Sequence, residues 1–303
     1  RDKKGHIYGR NTNPTVEILE KKVAILEGAE SATAFSSGMA AISNTIFACL
    51  RPGDRVVVGK DTYGGTSKIF MKFLPSFNID VVFCDTKDIE KFKSEIEKKC
   101  DLLYLETPTN PTLKVQDIQL LSNFAKSKKA LVVVDNTLAT PINQNPLSLG
   151  ADVVVHSATK FLCGHSDAIG GIACGNKNII NNIFHFREIN GACLDPNPAY
   201  LILRGMKTLA LRMERHNKNA LELSDWLLKH KNVESVFYPG IVGHNGHNVP
   251  RKQMKGYGGV LSFSIKDQNA MPSFISNLKF AHAAAHLGSL DTVVFLSLNN
   301  FSN

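Results

Sequence analysis

Five short runs of consecutive apolar, β-prone residues constrain what this chain can fold into. They are Arg55-Val56-Val57-Val58, Val81-Val82-Phe83, Leu102-Leu103-Tyr104-Leu105, Leu131-Val132-Val133-Val134 and Val153-Val154-Val155. Being apolar on successive residues, they need cover on both faces, which a parallel sheet between helices provides. The segments between them are long enough for crossover helices. The first two-thirds of the chain therefore predicts an α/β fold, with helices on a mainly parallel sheet. Upstream, Asn13-Pro14-Thr15 leads into Val16, Leu19, Val23 and Leu26 at helical spacing, and Gly28 marks the stop.

The texture changes around Asn190 to Pro198, where Asn, Gly, Asp and Pro cluster as at a junction. Beyond it the pattern predicts a long helical run from Ala199 to Lys231. Strands are predicted over Val233 to Tyr238, Gly259 to Ile265 and Thr292 to Leu298, and a polar surface loop over Val242 to Lys255, with His244 and His247 exposed in it. Two domains are expected: a large one over 1–195 and a smaller α+β C-terminal one over 196–303.

Composition narrows the class. With 43% apolar and 20% charged residues the chain is globular, which excludes disorder, collagen and coiled coil. No run approaches a membrane span, and no apolar segment follows the charged start, so neither a membrane helix nor a signal peptide is visible. Lys+Arg 35 against Asp+Glu 27 leaves +8. The basic residues interleave with acids, as in Lys87-Asp88-Ile89-Glu90-Lys91, and read as solvated helix faces rather than a nucleic-acid patch. Six dispersed cysteines lack metal spacing and read as reduced thiols of a cytoplasmic protein.

Polar residues terminate three of the predicted parallel strands. Glu106 follows Leu105, Asp135 follows Val134, and His156-Ser157-Ala158-Thr159-Lys160 follows Val155. Ligands of open α/β sheets bind outside the carboxyl ends of the strands. One crevice would thus receive two carboxylates and an amine. Any one of them alone reads as a cap or loop group; three in register point to a site. Ser36-Ser37-Gly38-Met39-Ala40 opens a helical run, where free backbone N–H groups suit an anion, although such a stretch is often only a cap. An amine beside a phosphate pocket suggests Schiff-base chemistry, and a carboxylate at a strand end could hold a pyridinium nitrogen protonated. Tyr63 offers a face to stack on such a ring.

With these residues together, the sequence resembles the Cys/Met-metabolism family of pyridoxal-phosphate enzymes. The carrying segments are His156–Asp167, Tyr8-Gly9-Arg10 with Asn13-Pro14-Thr15, Ser36–Ala40, Tyr63-Gly64-Gly65-Thr66, Glu106–Pro111, Asp135-Asn136-Thr137, Arg204–Leu209 and Arg212–His216, in family order. The resemblance implies a fold-type I (aspartate-aminotransferase-like) large domain and pyridoxal 5'-phosphate as cofactor. It makes Lys160 the cofactor lysine and proton shuttle, and Asp135 the partner of the pyridine nitrogen. Tyr63 would stack on the ring and act as acid or base. Gly38, Met39, Ser157 and Thr159 would hold the phosphate, and Asn110 would lie near the ring hydroxyl. Glu106 would support the site from behind, and His165 and Asp167 would fix the loop after the lysine. Tyr8 and Arg10 would reach the phosphate of a neighbouring subunit, which implies a homo-oligomer, a tetramer built from dimers sharing active sites.

The implied activity is a trans-sulfuration enzyme acting at the γ-carbon of sulfur amino acids or homoserine esters, of the cystathionine γ-lyase or γ-synthase type. Methionine γ-lyase, cystathionine β-lyase, O-acylhomoserine sulfhydrylase and a non-catalytic cofactor-binding homologue stay open, as do, further off, an aminotransferase and a nucleic-acid binder. Gly65 stands where methionine γ-lyases typically carry a reactive cysteine, Leu138 where β-lyases often have Trp, and Asp291 where γ-synthases and γ-lyases often have Glu. Phe295 precedes Leu296-Ser297 where the family has a carboxylate-clamping Arg, and a Phe cannot make that contact. The 303 residues are expected to be part of a longer chain, with an omission between about Asp291 and Phe295.

Overall fold

The computed structural model describes residues 5–243 and 248–296. In chain order the elements run α1 (Pro14–Glu27), β1 (Ser31–Phe35), α2 (Gly38–Cys49), β2 (Arg55–Gly59), α3 (Gly64–Lys68), a π-helical turn and α4 (Leu74–Ser76). They continue through β3 (Asp80–Cys84), α5 (Ile89–Lys98), β4 (Leu102–Glu106), α6 (Ile118–Ser127), β5 (Leu131–Asp135), α7 (Thr140–Asn143), β6 (Val153–Ser157), β7 (Gly171–Gly175) and α8 (Lys177–Asn190). Then follow α9 (Pro196–Gly205), α10 (Leu209–Leu228), β8 (Val233–Phe237), α11 (Asn248–Gln253), β9 (Ser262–Ile265), α12 (Met271–Ser276), β10 (His282–Ala283) and β11 (Val293–Val294).

The first seven strands form one sheet in the order β1-β7-β6-β5-β4-β2-β3. All five predicted apolar runs lie in it as parallel strands, with β7 antiparallel between β1 and β6. In β2, β4, β5 and β6 successive residues are buried because both faces are covered, whereas the edge strand β3 leaves Val81, Val82 and Phe83 half-buried. Val57, Leu103, Val132 and Val134 pack with Phe92 of α5 and Leu121 of α6. On the opposite face Val56, Val58, Val133, Val153 and Val155 pack with Ile42 and Ile46 of α2. Burying one such side chain contributes about 1.5–3 kcal/mol. β1 and β7 have less prominent sequence signals: Ala, Thr and Gly fill them, and Gly171 has no room for a Cβ beside the Ser37 carbonyl.

Two expectations need correction. The helical run from Ala199 breaks at a 3-10 turn, Met206–Thr208. The Gly205 carbonyl there accepts from Thr208 Oγ1 (3.2 Å) and Arg212 Nη2 (3.0 Å) instead of continuing the helix. The polar stretch after Val242 is not all loop. It contains α11, anchored because Gln253 Nε2 donates to the Gln116 carbonyl and to Gln144 Oε1, both at 3.0 Å. His244 and His247 lie outside the described residues, as do Ser297 and Leu298. The predicted strand over Thr292 to Leu298 is, within the described residues, only β11.

Candidate active site

The carboxyl ends of β4, β5 and β6 deliver the predicted polar groups side by side. Glu106 and Asp135 are register partners across β4 and β5, and Asp135 lies opposite Val155 of β6. Asp135 is buried. Its Oδ1 accepts from Thr137 N (3.0 Å) and Thr137 Oγ1 (2.5 Å), and its Oδ2 from the Tyr104 hydroxyl (3.5 Å). Burial pushes the Asp135 carboxyl up, and the Thr137 bonds work against that. Glu106 is pushed well above the ordinary range by burial and then by the charge of Asp135. Hydrogen bonds from Thr137 and Tyr104 favour the charged form of Asp135, and that charge in turn disfavours ionisation of Glu106.

Glu106 Oε2 accepts the Tyr63 backbone N–H at 2.7 Å and so ties the Tyr63 loop to the end of β4, the supporting position expected for it. The Tyr63 ring is 55% exposed, a free face at the mouth of the crevice. Asn110 is exposed in the loop after β4. Beside it, Thr109 N–H donates to the Lys114 carbonyl, and Lys114 Nζ pairs with Asp61 at 2.9 Å.

Lys160 follows β6 in a tight turn, its N–H donating to the Ser157 carbonyl at 3.1 Å. It is half-buried, and loss of solvent pushes its amine down, toward the neutral form. Thr159 Oγ1 both donates to the Gly170 carbonyl (3.2 Å) and accepts the Gly170 N–H (3.1 Å), which fixes the turn. Ser157 N–H donates to Thr137 Oγ1 at 2.9 Å, so one hydroxyl links the ends of β5 and β6. The start of α2 comes close: a Cβ on Gly38 would stand 2.6 Å from Ser157 Cβ. Ser37 Oγ caps Ala40 N at 3.1 Å, leaving the N–H groups of Gly38 and Met39 at the helix start for an anion. Arg212 holds the next turn, donating to the Phe161 carbonyl at 2.8 Å across Gly164, whose φ is +74°. His165 Nδ1 lies 2.8 Å from the Cys163 carbonyl, and Cys163 Sγ donates to Asp167 at 3.1 Å, in keeping with the structural role expected of both residues.

Tyr8 and Arg10 are brought elsewhere. Arg10 stacks on the exposed Tyr8 ring at 5.2 Å and donates to the Glu188 carbonyl of α8. Phe295, at the expected arginine position, is 66% exposed.

Several site residues escaped the sequence reading. Thr137 carried a signal, a hydroxyl two residues after a strand-end Asp. Tyr104 sat inside an apolar run. Gly288 (φ +88°) closes over Lys160, a Cβ there lying 3.1 Å from the Lys160 Cα. Near it His286 Nε2 lies 2.6 Å from Ser166 Oγ, and burial and then the Lys160 charge push its imidazole toward neutrality.

This donor set fits a phosphorylated pyridine aldehyde: an anion seat at the start of α2, a buried carboxylate for a ring nitrogen, a desolvated amine and an open aromatic face. Fold and site together define a pyridoxal-phosphate-dependent enzyme of fold-type I. The chain belongs to the Cys/Met metabolism PLP-dependent enzyme family, which it matches over residues 1–300. It is 45% identical over 294 residues to an L-methionine gamma-lyase of Fusobacterium nucleatum subsp. polymorphum, covering 96% of this chain and 74% of that protein. To the cystathionine gamma-lyase of Bacillus subtilis it is 40% identical over 291 residues, covering 96% and 76%. The crystal structure of cystathionine gamma synthase from Xanthomonas oryzae pv. oryzae in complex with aminoacrylate and cysteine superposes with a TM-score of 0.95. That match has 33% identity and covers 97% of this chain and 76% of that one. The cofactor is pyridoxal phosphate.

Proposed function

We propose that the chain cleaves or replaces the bond to a leaving group on the γ-carbon of a sulfur amino acid or homoserine ester, as a cystathionine γ-lyase or γ-synthase does. The observation that carries this reading is the half-buried Lys160 amine, pushed toward neutrality at the end of the strand next to Asp135. A neutral amine is a base; an ammonium is not.

Bound pyridoxal phosphate supplies an electron sink conjugated to the substrate α-carbon. Gly38, Met39, Ser157 and Thr159 would hold its phosphate in this reading, Asn110 would serve its ring hydroxyl and Asp135 would keep its ring nitrogen protonated. Lys160 Nζ would take the α-proton and then a β-proton, whose loss lets the γ-substituent leave with its bonding pair. Tyr63 would stack on the ring and could hand a proton to the departing group. Thr137 and Tyr104 favour the charged form of Asp135 against its burial, and Glu106 keeps the Tyr63 loop in place. Holding one base beside several protons is the contribution of a fixed site.

Tyr8 and Arg10 complete the phosphate seat of a second copy in a homodimer, two of which form a tetramer. The division into 1–195 and 196–303 and a cytoplasmic setting belong to the same reading. The free cysteines among the described residues support the latter. A second reading, methionine γ-lyase, is favoured by the 45% identity to a protein of that name. Against it, a Cβ at Gly65 would lie 2.8 Å from Met39 Sδ and 2.9 Å from Tyr63 Cε1, so a cysteine there needs both to move.

The test supplies cystathionine, O-acylhomoserine with cysteine, and methionine separately. The first reading predicts product from one of the first two; methanethiol from methionine as the dominant product supports the second. No product from any of them contradicts both.

A further inference from the structure

Behind the crevice, on the face of the sheet opposite Asp135, one carboxylate oxygen joins the same two strand ends. Glu27 is the last residue of α1, and its Oε1 accepts from Asn136 Nδ2 at 2.8 Å and His156 Nε2 at 2.6 Å. Asn136 follows Asp135, and His156 precedes Ser157. The Glu27 and His156 side chains are 0% and 1% exposed. The network continues from Asn136 to the Gln144 carbonyl (2.9 Å), and from Gln144 to the Thr107 carbonyl and Gln253 of α11, both 3.0 Å.

Three features set this arrangement apart from ordinary core packing. A carboxylate in the last turn of a helix stands against the helix dipole. Glu27 Oε2 and His156 Nδ1 are buried without a hydrogen-bond partner, an arrangement that apolar residues of similar size would avoid. And the two donors bound by Oε1 are the immediate chain neighbours of the residues assigned to the ring nitrogen and the phosphate.

We propose that Glu27 is a positioning residue for the cofactor, its Oε1 clamping Asn136 and His156 so that Asp135 and Ser157 stay in register from behind. Thr137 Oγ1 is the matching link on the cofactor side. His156 carries its proton on Nε2 in this arrangement. The inference rests on the assignment of Asp135 and Ser157 given under Proposed function.

Cofactor dissociation constants of Glu27→Leu, Glu27→Gln, Asp135→Ala and Leu19→Ala, read by the absorbance of bound pyridoxal phosphate, test it together with thermal unfolding. Leu19 is a fully buried residue of the same helix and controls for loss of stability alone. Glu27→Leu is expected to weaken cofactor binding about tenfold or more. Glu27→Gln, which keeps an oxygen at the clamp, is expected to restore most of it. Leu19→Ala should lower the melting temperature and leave the affinity unchanged. Weakening by Glu27→Leu no greater than by Leu19→Ala overturns the proposal. Should Glu27→Leu fail to fold, the wild-type protein decides through ¹⁵N NMR of His156: a proton on Nε2 supports the clamp, and its absence overturns it. If Asp135→Ala leaves the affinity unchanged, the assignment of the site fails instead, a distinguishable result.

Discussion

The two ends of the central sheet use the same residue types in opposite ways. At the amino end, Arg55 Nε meets Asp80 at 2.8 Å and Arg55 Nη2 meets Glu95 at 2.5 Å, while Lys91 and Lys98 reach the other Glu95 oxygen at 2.8 and 2.9 Å. The hydrogen bonds from Lys91, Lys98 and Arg55 bring the Glu95 carboxyl down to about 2. At the carboxyl end, burial drives Glu106 and Asp135 up and Lys160 down. One end gives Glu95 three cationic partners; the other gives its buried carboxylates only neutral donors and leaves the Lys160 amine half-buried, so burial dominates there. The lesson is that cationic against neutral partners, rather than residue type, separates a structural cluster from a reactive one.

The contrast can be broken at its reactive end first. Lys160→Ala is expected to lower turnover of the preferred substrate by about 10³-fold or more, with thermal unfolding nearly unchanged. Steady-state assays and calorimetry check it. Next, Asp135→Ala should weaken cofactor binding by about tenfold or more, measured by absorbance titration, because a ring nitrogen is left without its counter-charge. Arg55→Ala is the mirror image: it removes the guanidinium between Asp80 and Glu95, leaves Glu95 with Lys91 and Lys98, and lowers unfolding free energy by about 2 kcal/mol in denaturant titration, with cofactor affinity unchanged.

Smaller effects separate the ends by pH. Glu95 is depressed, so its stabilisation is present above its ordinary value of 4.5 and is lost as pH falls toward about 2. Glu95→Gln should therefore lower the melting temperature near neutrality and flatten its fall in acid. Glu106 is raised, so its contribution is present below 4.5 and is lost as pH rises. Glu106→Gln should gain relative to wild type as pH climbs above 4.5. Equal pH profiles for the two variants would erase the distinction between the ends.

How much of this was legible in the sequence follows from where each signal lives. The parallel strands were readable because double-sided burial forces uninterrupted apolar runs. Asp135 and Glu106 were readable because a charged group straight after such a run loses solvent and must find a partner or a ligand, and Lys160 because it closes the polar segment that ends the Val153-Val154-Val155 run. β1 and β7 were harder to read because close approach to α2 demands small residues with weak strand preference. Glu27 left no local mark, since its partners are 109 and 129 residues away and only the fold brings them together. The 3-10 break at Met206 depends likewise on competition for one carbonyl.

The central claim is that Lys160 is the residue that holds pyridoxal phosphate. Borohydride reduction of the loaded protein, proteolysis and mass spectrometry test it most directly. The cofactor's mass should appear on the peptide containing Lys160 and vanish in Lys160→Ala. Attachment to another lysine, or to none, would contradict the account.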